Sequence, residues 1–261
     1  MKNRKPLADP PRPGWGRVLA GFALLFAVYQ TAEGLQTVFA PGDPLGPVLM
    51  VASVLIAWPV GRWLGWRGYD AFGLDASPAS LPLLWGGMLL ALLAKLASLS
   101  AGVGAGLIVP SASPPAGLTL ATVALGALMT FVPSVAEDII TRGFLLRALP
   151  VRLGFWAYVL GSAALFTANH VWRFDWGVSE QVRLFCCGLA YGAAAWRWRT
   201  LWGAVALHWG WNFANALAGA SIPLEVRDAV EGRYLSAAVH LALFVVVLCL
   251  PSRRSAPEAS A

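Results

Sequence analysis

Three sets of polar residues sit inside otherwise apolar stretches of this chain: Glu137-Asp138 with Arg142, Phe166 with His170, and His208 with Asn212. Ionisable and amide side chains at membrane depth are costly and mark functional positions by default. On a helix turning about 100° per residue, Asp138 and Arg142 share a face as i and i+4, while Glu137 points elsewhere. Asp138 and Arg142 can therefore satisfy each other, and a helix-end ion cluster accounts for both. It does not account for Glu137, which is left without a local partner in an apolar setting, where a carboxylate suits work as a general base. His170 lies one turn after Phe166 in LFTANHVW, so ring and imidazole share a face. His208 and Asn212 in ALHWGWNFAN present an imidazole and an amide side by side. Taken singly, the first of these pairs is a hydrogen-bonded interfacial histidine and the second is glue between helices. Taken together they gain weight, because two of the chain's three histidines fall into such pairs on separate apolar segments.

The elements that position these residues are membrane helices. Apolar residues make up 58% of 261 positions, charged residues 12%, and the mean hydropathy is +0.64, outside the range of ordinary soluble domains. Crossing a bilayer as a helix takes about 20 predominantly apolar residues. Such segments recur at 17–40, 46–66, 81–104, 118–146, 154–172, 181–196, 201–220 and 234–250. Backbone groups in lipid must be bonded within the segment or in a closed barrel, and these runs are too long and unalternating for barrel strands. The expected fold class is all-α, a polytopic bundle of about eight transmembrane helices. Residues 1–16 and 251–261 read as short cytoplasmic tails around one membrane domain at 17–250, and the N-terminal apolar run reads as a retained first span.

Lys and Arg accumulate on the cytoplasmic side of membrane proteins. With eight helices both termini fall on one side. That side receives Lys2, Arg4, Lys5, Arg12, Arg17, Arg62, Arg67, Arg147, Arg152, Arg197, Arg199, Arg253 and Arg254. The other side receives Arg173, Arg183, Arg227 and Arg233, outnumbered there by acids. The expected location is the plasma or inner membrane, multi-pass, with both termini cytoplasmic. The net charge of +6 and pI near 9.7 are then the topology signal and an attraction to anionic lipid, and no nucleic-acid partner is needed. Cys186, Cys187 and Cys249 have no metal or redox spacing and read as small apolar residues. Lys95, Glu33 and His240 take bland readings: a snorkelling or internally paired lysine, an acid at a wet interface, and a structural histidine.

The three sets resemble the motifs of the CPBP intramembrane proteases, the family of type II CAAX prenyl endopeptidases and of bacteriocin-processing and immunity-type relatives. The family carries Glu-Glu-x-x-x-Arg, Phe-x-x-x-His and His-x-x-x-Asn on successive core helices. Here they stand as EDIITR from Glu137, FTANH from Phe166 and HWGWN from His208. Asp138 departs from the pattern, one methylene shorter than the usual second Glu.

The resemblance implies an intramembrane endopeptidase that hydrolyses a peptide bond of a membrane-associated protein or peptide near its C-terminus. Glu137 would take a proton from water that His170 positions, and His208 and Asn212 would donate to the oxyanion. Asp138, Arg142 and Phe166 would support the site, with Arg142 as a further candidate for a substrate's terminal carboxylate. No cofactor is expected. The alternative is Zn2+ held by Glu137, His170 and His208 with a position left for water. A second alternative is a non-proteolytic scaffold or immunity protein of the same fold. Straight helices pose one difficulty: His170 lies toward the far end of its span, roughly 10–15 Å from the depth of Glu137 and His208 at 1.5 Å per residue.

Overall fold

The computed structural model describes residues 12–111, 117–221 and 223–252. Most of both proposed tails, 1–11 and 253–261, lies outside the described residues. Eight α-helices run through the described part: α1 (Trp15–Gly34), α2 (Leu45–Trp63), α3 (Leu81–Gly104), α4 (Leu120–Asp138), α5 (Phe155–Asn169), α6 (Val178–Trp198), α7 (Trp202–Ser221) and α8 (Ala229–Cys249). They coincide with the eight apolar segments to within a few residues, and the protein is an all-α polytopic membrane protein. Two three-residue strands were not expected. They are β1 (Ile108–Pro110) and β2 (Leu224–Val226), which pair antiparallel with Ile108 opposite Val226 and tie the α3–α4 link to the α7–α8 link.

Five of the helical stretches are long and apolar enough to cross a membrane by themselves: 15–39, 45–63, 81–104, 120–148 and 229–249. The three others fall short for physical reasons. Helix α5 has 15 residues, about 22 Å at 1.5 Å per residue. Helices α6 and α7 carry polar and small residues because protein rather than lipid surrounds them. Cys187, Ala190, Tyr191 and Ala193 to Ala195 of α6, and Ala204 to His208 of α7, are all buried. Leu89, Leu93 and Leu96 of α3, Leu125 and Leu128 of α4, and Val245 of α8 face outward instead. A helix in the centre of a bundle is free of the lipid's demand for apolar side chains on every face.

Small residues let the central helices approach closely, as membrane interfaces require. A Cβ at Gly188 on α6 would lie 2.6 Å from the Ala163 Cα on α5, and one at Gly210 on α7 would lie 2.8 Å from the Ala91 Cβ on α3. Helix α4 starts on a capping box between Thr119 and Thr122 and carries Pro133, one turn before Glu137. Beyond Asp138 it continues as a wider π-type helix, Ile139–Ala148, the kind of local widening often found at functional sites. A non-helical link at 149–154, bent at 149–151, then leads into α5.

The bundle has two distinct ends. At one, Arg12 bonds the Pro150 carbonyl at 3.0 Å, Arg147 reaches the Asp70 and Arg199 carbonyls at 3.4 Å each, and Trp198 Nε1 donates to the Pro251 carbonyl at 3.2 Å. At the other lie the strand pair, the α1–α2 link and the α5–α6 link. There Trp172 Nε1 donates to the Gln30 carbonyl at 3.3 Å, and Arg233 Nη1 to the Trp176 carbonyl at 2.8 Å.

Candidate active site

The difficulty of depth disappears in the folded chain. A non-helical link takes up 149–154 and α5 begins only at Phe155, so the end of α5 comes level with Glu137 in the α4 span. It stops at Asn169, and His170 takes a non-helical conformation as its C-cap, with φ −86° and ψ 52°. His170 Nε2 then lies 3.4 Å from Glu137 Oε1, and His208 Nε2 lies 3.6 Å from Glu137 Oε2. All three side chains come from segments far apart in sequence, and each residue is 4% exposed.

The second nitrogen of each imidazole is occupied. His170 Nδ1 lies 2.8 Å from the Phe166 carbonyl. A carbonyl only accepts, so Nδ1 carries a proton, and Nε2 is the nitrogen turned toward Glu137. This gives the four-residue spacing of Phe166 and His170 a reason beyond a shared face: it is a backbone hydrogen bond that sets the tautomer. His208 Nδ1 lies 3.3 Å from Asp138 Oδ1. Phe166 packs edge-on against both imidazoles, with centroids 4.8 and 5.6 Å away.

Asp138 and Arg142 form the expected i,i+4 ion pair, and both are fully buried. The guanidinium carbon also sits 4.4 Å from the Phe166 ring centroid and 5.2 Å from that of Tyr191. Arg142 is not among the residues that border the cavity in which Glu137 lies. Asp138 instead links the arginine to His208 through a single carboxylate oxygen.

The cavity measures about 210 Å³ and is bordered by Glu137, His170, His208 and Asn212 together, with Glu33, Tyr191 and Arg173 among its other walls. Asn212 Nδ2 donates to Ser134 Oγ at 3.2 Å, one turn before Glu137 on α4. All four residues expected to act on substrate thus face one space. Of the three supporting residues, Phe166 forms part of its wall, and Asp138 and Arg142 stand behind it.

Several neighbours were not anticipated. Asn169 Nδ2 donates to Glu137 Oε1 at 3.1 Å, and Gln30 Nε2 donates in turn to the Asn169 carbonyl at 2.6 Å and its Oδ1 at 3.0 Å. Glu137 therefore has a partner, supplied by a distant helix. The signal in the sequence was the doubled polar pair Asn169-His170 and the Gln30 to Glu33 cluster in the first span. Glu33 is buried at 5% exposure and accepts from Arg173 Nη2 at 3.3 Å, so a wet interface does not explain it. Tyr191 stacks on His208, centroids 5.1 Å apart at 20°, and its hydroxyl meets His240 Nε2 at 3.0 Å. His240 Nδ1 is held by the Ser236 carbonyl at 2.8 Å, so His240 has a structural place behind the site. Lys95 lies over the Trp211 ring at 4.9 Å, an internal pairing of the kind expected for it.

The donor chemistry of zinc is met only in part. Both histidines hold Nδ1 on an acceptor, as metal-binding histidines do, and both turn Nε2 toward Glu137. Yet among the described residues no group of three or more His, Cys, Asp and Glu side chains is arranged to hold a metal ion.

One buried cavity thus gathers Glu137 and Glu33 with two histidines and the Asn212 amide. Residues 118–214, which contain all three motifs, match the family model described as Type II CAAX prenyl endopeptidase Rce1-like. Over those residues, somewhat more than a third of the chain, it is similar to the type II CAAX prenyl endopeptidases. No curated protein matches the chain.

Proposed function

We propose that the protein hydrolyses a peptide bond near the C-terminus of a membrane-associated protein or peptide, with Glu137 as the base that activates water. What carries the reading is the convergence of His170 Nε2 and His208 Nε2 on the two oxygens of Glu137, at 3.4 and 3.6 Å, in a cavity that Asn212 also borders.

Water beside Glu137 Oε1 and His170 Nε2 has two acceptors for its protons. As its oxygen attacks the scissile carbonyl, Glu137 takes one proton, a contribution typically of about 10²–10⁴ in rate. Asn169 holds the same carboxylate in place through Oε1. The oxygen of the tetrahedral intermediate takes hydrogen bonds from Asn212 Nδ2, which has one hydrogen beyond that given to Ser134, and from His208 Nε2. Asp138 Oδ1 meets His208 Nδ1 at 3.3 Å and so fixes the ring with Nε2 toward the cavity. Such donors are worth about 2.7–4 kcal/mol each when preorganised. Glu137 then returns its proton to the departing amine, so water, peptide, acid and amine balance. Arg142, Asp138 and Phe166 fix the two imidazoles and stay out of the chemistry.

The experiment can be run before any substrate is identified. Membrane-protein C-termini are compared in cells carrying the wild-type chain and in cells carrying Glu137→Gln. New C-termini that appear with the wild type alone bear out the proposal. Identical C-termini in the two strains, with equal amounts of protein in the membrane, point to a scaffold or immunity role for the same fold.

A further inference from the structure

The cavity that holds Glu137 is also bordered by Tyr29 and Glu33 of α1, Thr37 of the π-type turn that follows it (Leu35–Phe39), Met50 of α2 and Leu184 of α6. Thr37 is exposed. All of these lie toward the end of the bundle made by the α1–α2 and α5–α6 links. Toward the opposite end the cavity is closed by a layer of buried side chains: Ile140, Arg142 and Phe144 beyond Glu137, Tyr158 on α5, and Ala204 and Leu207 on α7, none more than 2% exposed. A second cavity does exist at that closed end, lined by Arg12, Trp66, Arg147 and Arg199 among others, but none of its walls borders the first.

The charges assign the two ends to sides of the membrane. The closed end carries Arg62, Arg67, Arg147, Arg152, Arg197 and Arg199 in and beside its links, and Arg12 bonds the Pro150 carbonyl there. The open end carries Arg173, Arg183, Arg227 and Arg233. Of these, Arg173, Arg183 and Arg233 converge on Glu180 at 3.9, 2.8 and 3.4 Å, and Arg173 also meets Glu33. Short links with the excess of Lys and Arg stay in the cytoplasm during insertion. The closed end, with that excess, is thus the cytoplasmic one, and the cavity mouth lies on the other.

We infer that the site is entered from the non-cytoplasmic face, and that its substrate class is a translocated protein or peptide, or the outward-facing end of a membrane-anchored segment. This inference rests on the proposed hydrolysis for the word substrate, and on geometry and charge alone for the face. It separates this chain from any task on a lipidated CaaX tail, which is attached to a protein in the cytosol and reaches the membrane from that side.

The test reads access, without cleavage. In a chain with Cys186, Cys187 and Cys249 changed to Ala, single cysteines are placed at Thr37→Cys on the cavity mouth and at Ala76→Cys, an exposed position in the α2–α3 link at the closed end. Intact cells are treated with a membrane-impermeant thiol reagent. Labelling of Thr37→Cys in intact cells, with Ala76→Cys labelled only after the membrane is opened, is the expected result. The reverse pattern overturns the inference. If the cysteine-free chain does not fold, reporter fusions after Pro251 and within residues 40–44 give the same two answers: a cytoplasmic Pro251 with an external 40–44 supports it, and the opposite overturns it. Because neither experiment depends on hydrolysis, a reversed orientation leaves the protease reading standing, and a missing activity leaves the orientation standing.

Discussion

Changing Asp138 to Leu removes the carboxylate that pairs with Arg142 while both residues are fully buried. The guanidinium then keeps Thr141 Oγ1 at 3.0 Å and two ring faces at 4.4 and 5.2 Å, and no counter-charge. Leaving one member of a buried ion pair costs about 3–5 kcal/mol, and the ring contacts, present before and after the change, do not offset it. At about 2–4 °C per kcal/mol this lowers the melting temperature by roughly 6–20 °C. Arg142→Met should cost less, because Asp138 retains His208 Nδ1 at 3.3 Å. The double variant Asp138→Leu with Arg142→Met should melt close to the wild type, since replacing a buried pair by apolar groups of similar volume is often neutral. The assay is thermal unfolding of the four proteins in the same detergent, read as a double-mutant cycle. Single and double losses that simply add would refute the pairing, as would an Asp138→Leu protein as stable as the wild type. Peptide hydrolysis by the double variant should still fall, because His208 has lost its Nδ1 acceptor in a fold that survives.

Asn169→Leu leaves one oxygen of Glu137 without its buried donor and removes the side-chain acceptor of Gln30, so a loss of about 1–3 kcal/mol is expected by thermal unfolding, together with a reduced kcat. Tyr191→Phe removes only the hydroxyl contact to His240 while the ring still stacks on His208; stability should drop by about 1 kcal/mol with kcat little changed, whereas a large loss of kcat would give the hydroxyl a chemical part. Gly188→Val would drive a side chain into the Ala163 backbone, and size-exclusion profiles should show a chain that no longer folds as one species. Elemental analysis of purified protein should find no stoichiometric zinc, and chelators should leave hydrolysis intact; one zinc per chain whose removal abolishes the reaction would replace Glu137 as the group that activates water.

The fold was legible because lipid imposes one rule on every span, and eight apolar runs in the sequence became eight helices. The crossing status of α5 to α7 was harder to read, since helices enclosed by protein escape that rule and carry the polar residues that line the site. Asp138 with Arg142 was readable from spacing alone, being a contact one turn apart on a single helix. Glu137 was readable only as an acid without a local partner. Its true neighbours, Asn169 and the two histidines, belong to segments 32 or more residues away, and no local pattern reports such a contact. The family motifs supplied the grouping that spacing could not. Straight helices led to a depth mismatch for His170 because the length of the non-helical link before Phe155 is invisible to a hydropathy scan. Asn169 and Gln30 were passed over for a related reason: each looks like an ordinary polar residue at a span's end until the other is brought beside it.

The most direct measurement of the central claim is the hydrolysis rate of a substrate peptide by purified, bilayer-reconstituted wild-type protein and its Glu137→Gln variant, with peptide binding and melting temperature measured on the same samples. Expected is a rate lower by about 10²–10⁴ in the variant, with binding and melting temperature unchanged. A Glu137→Gln protein that cleaves at the wild-type rate would contradict the account, because Glu137 is the acid whose two oxygens both histidines face.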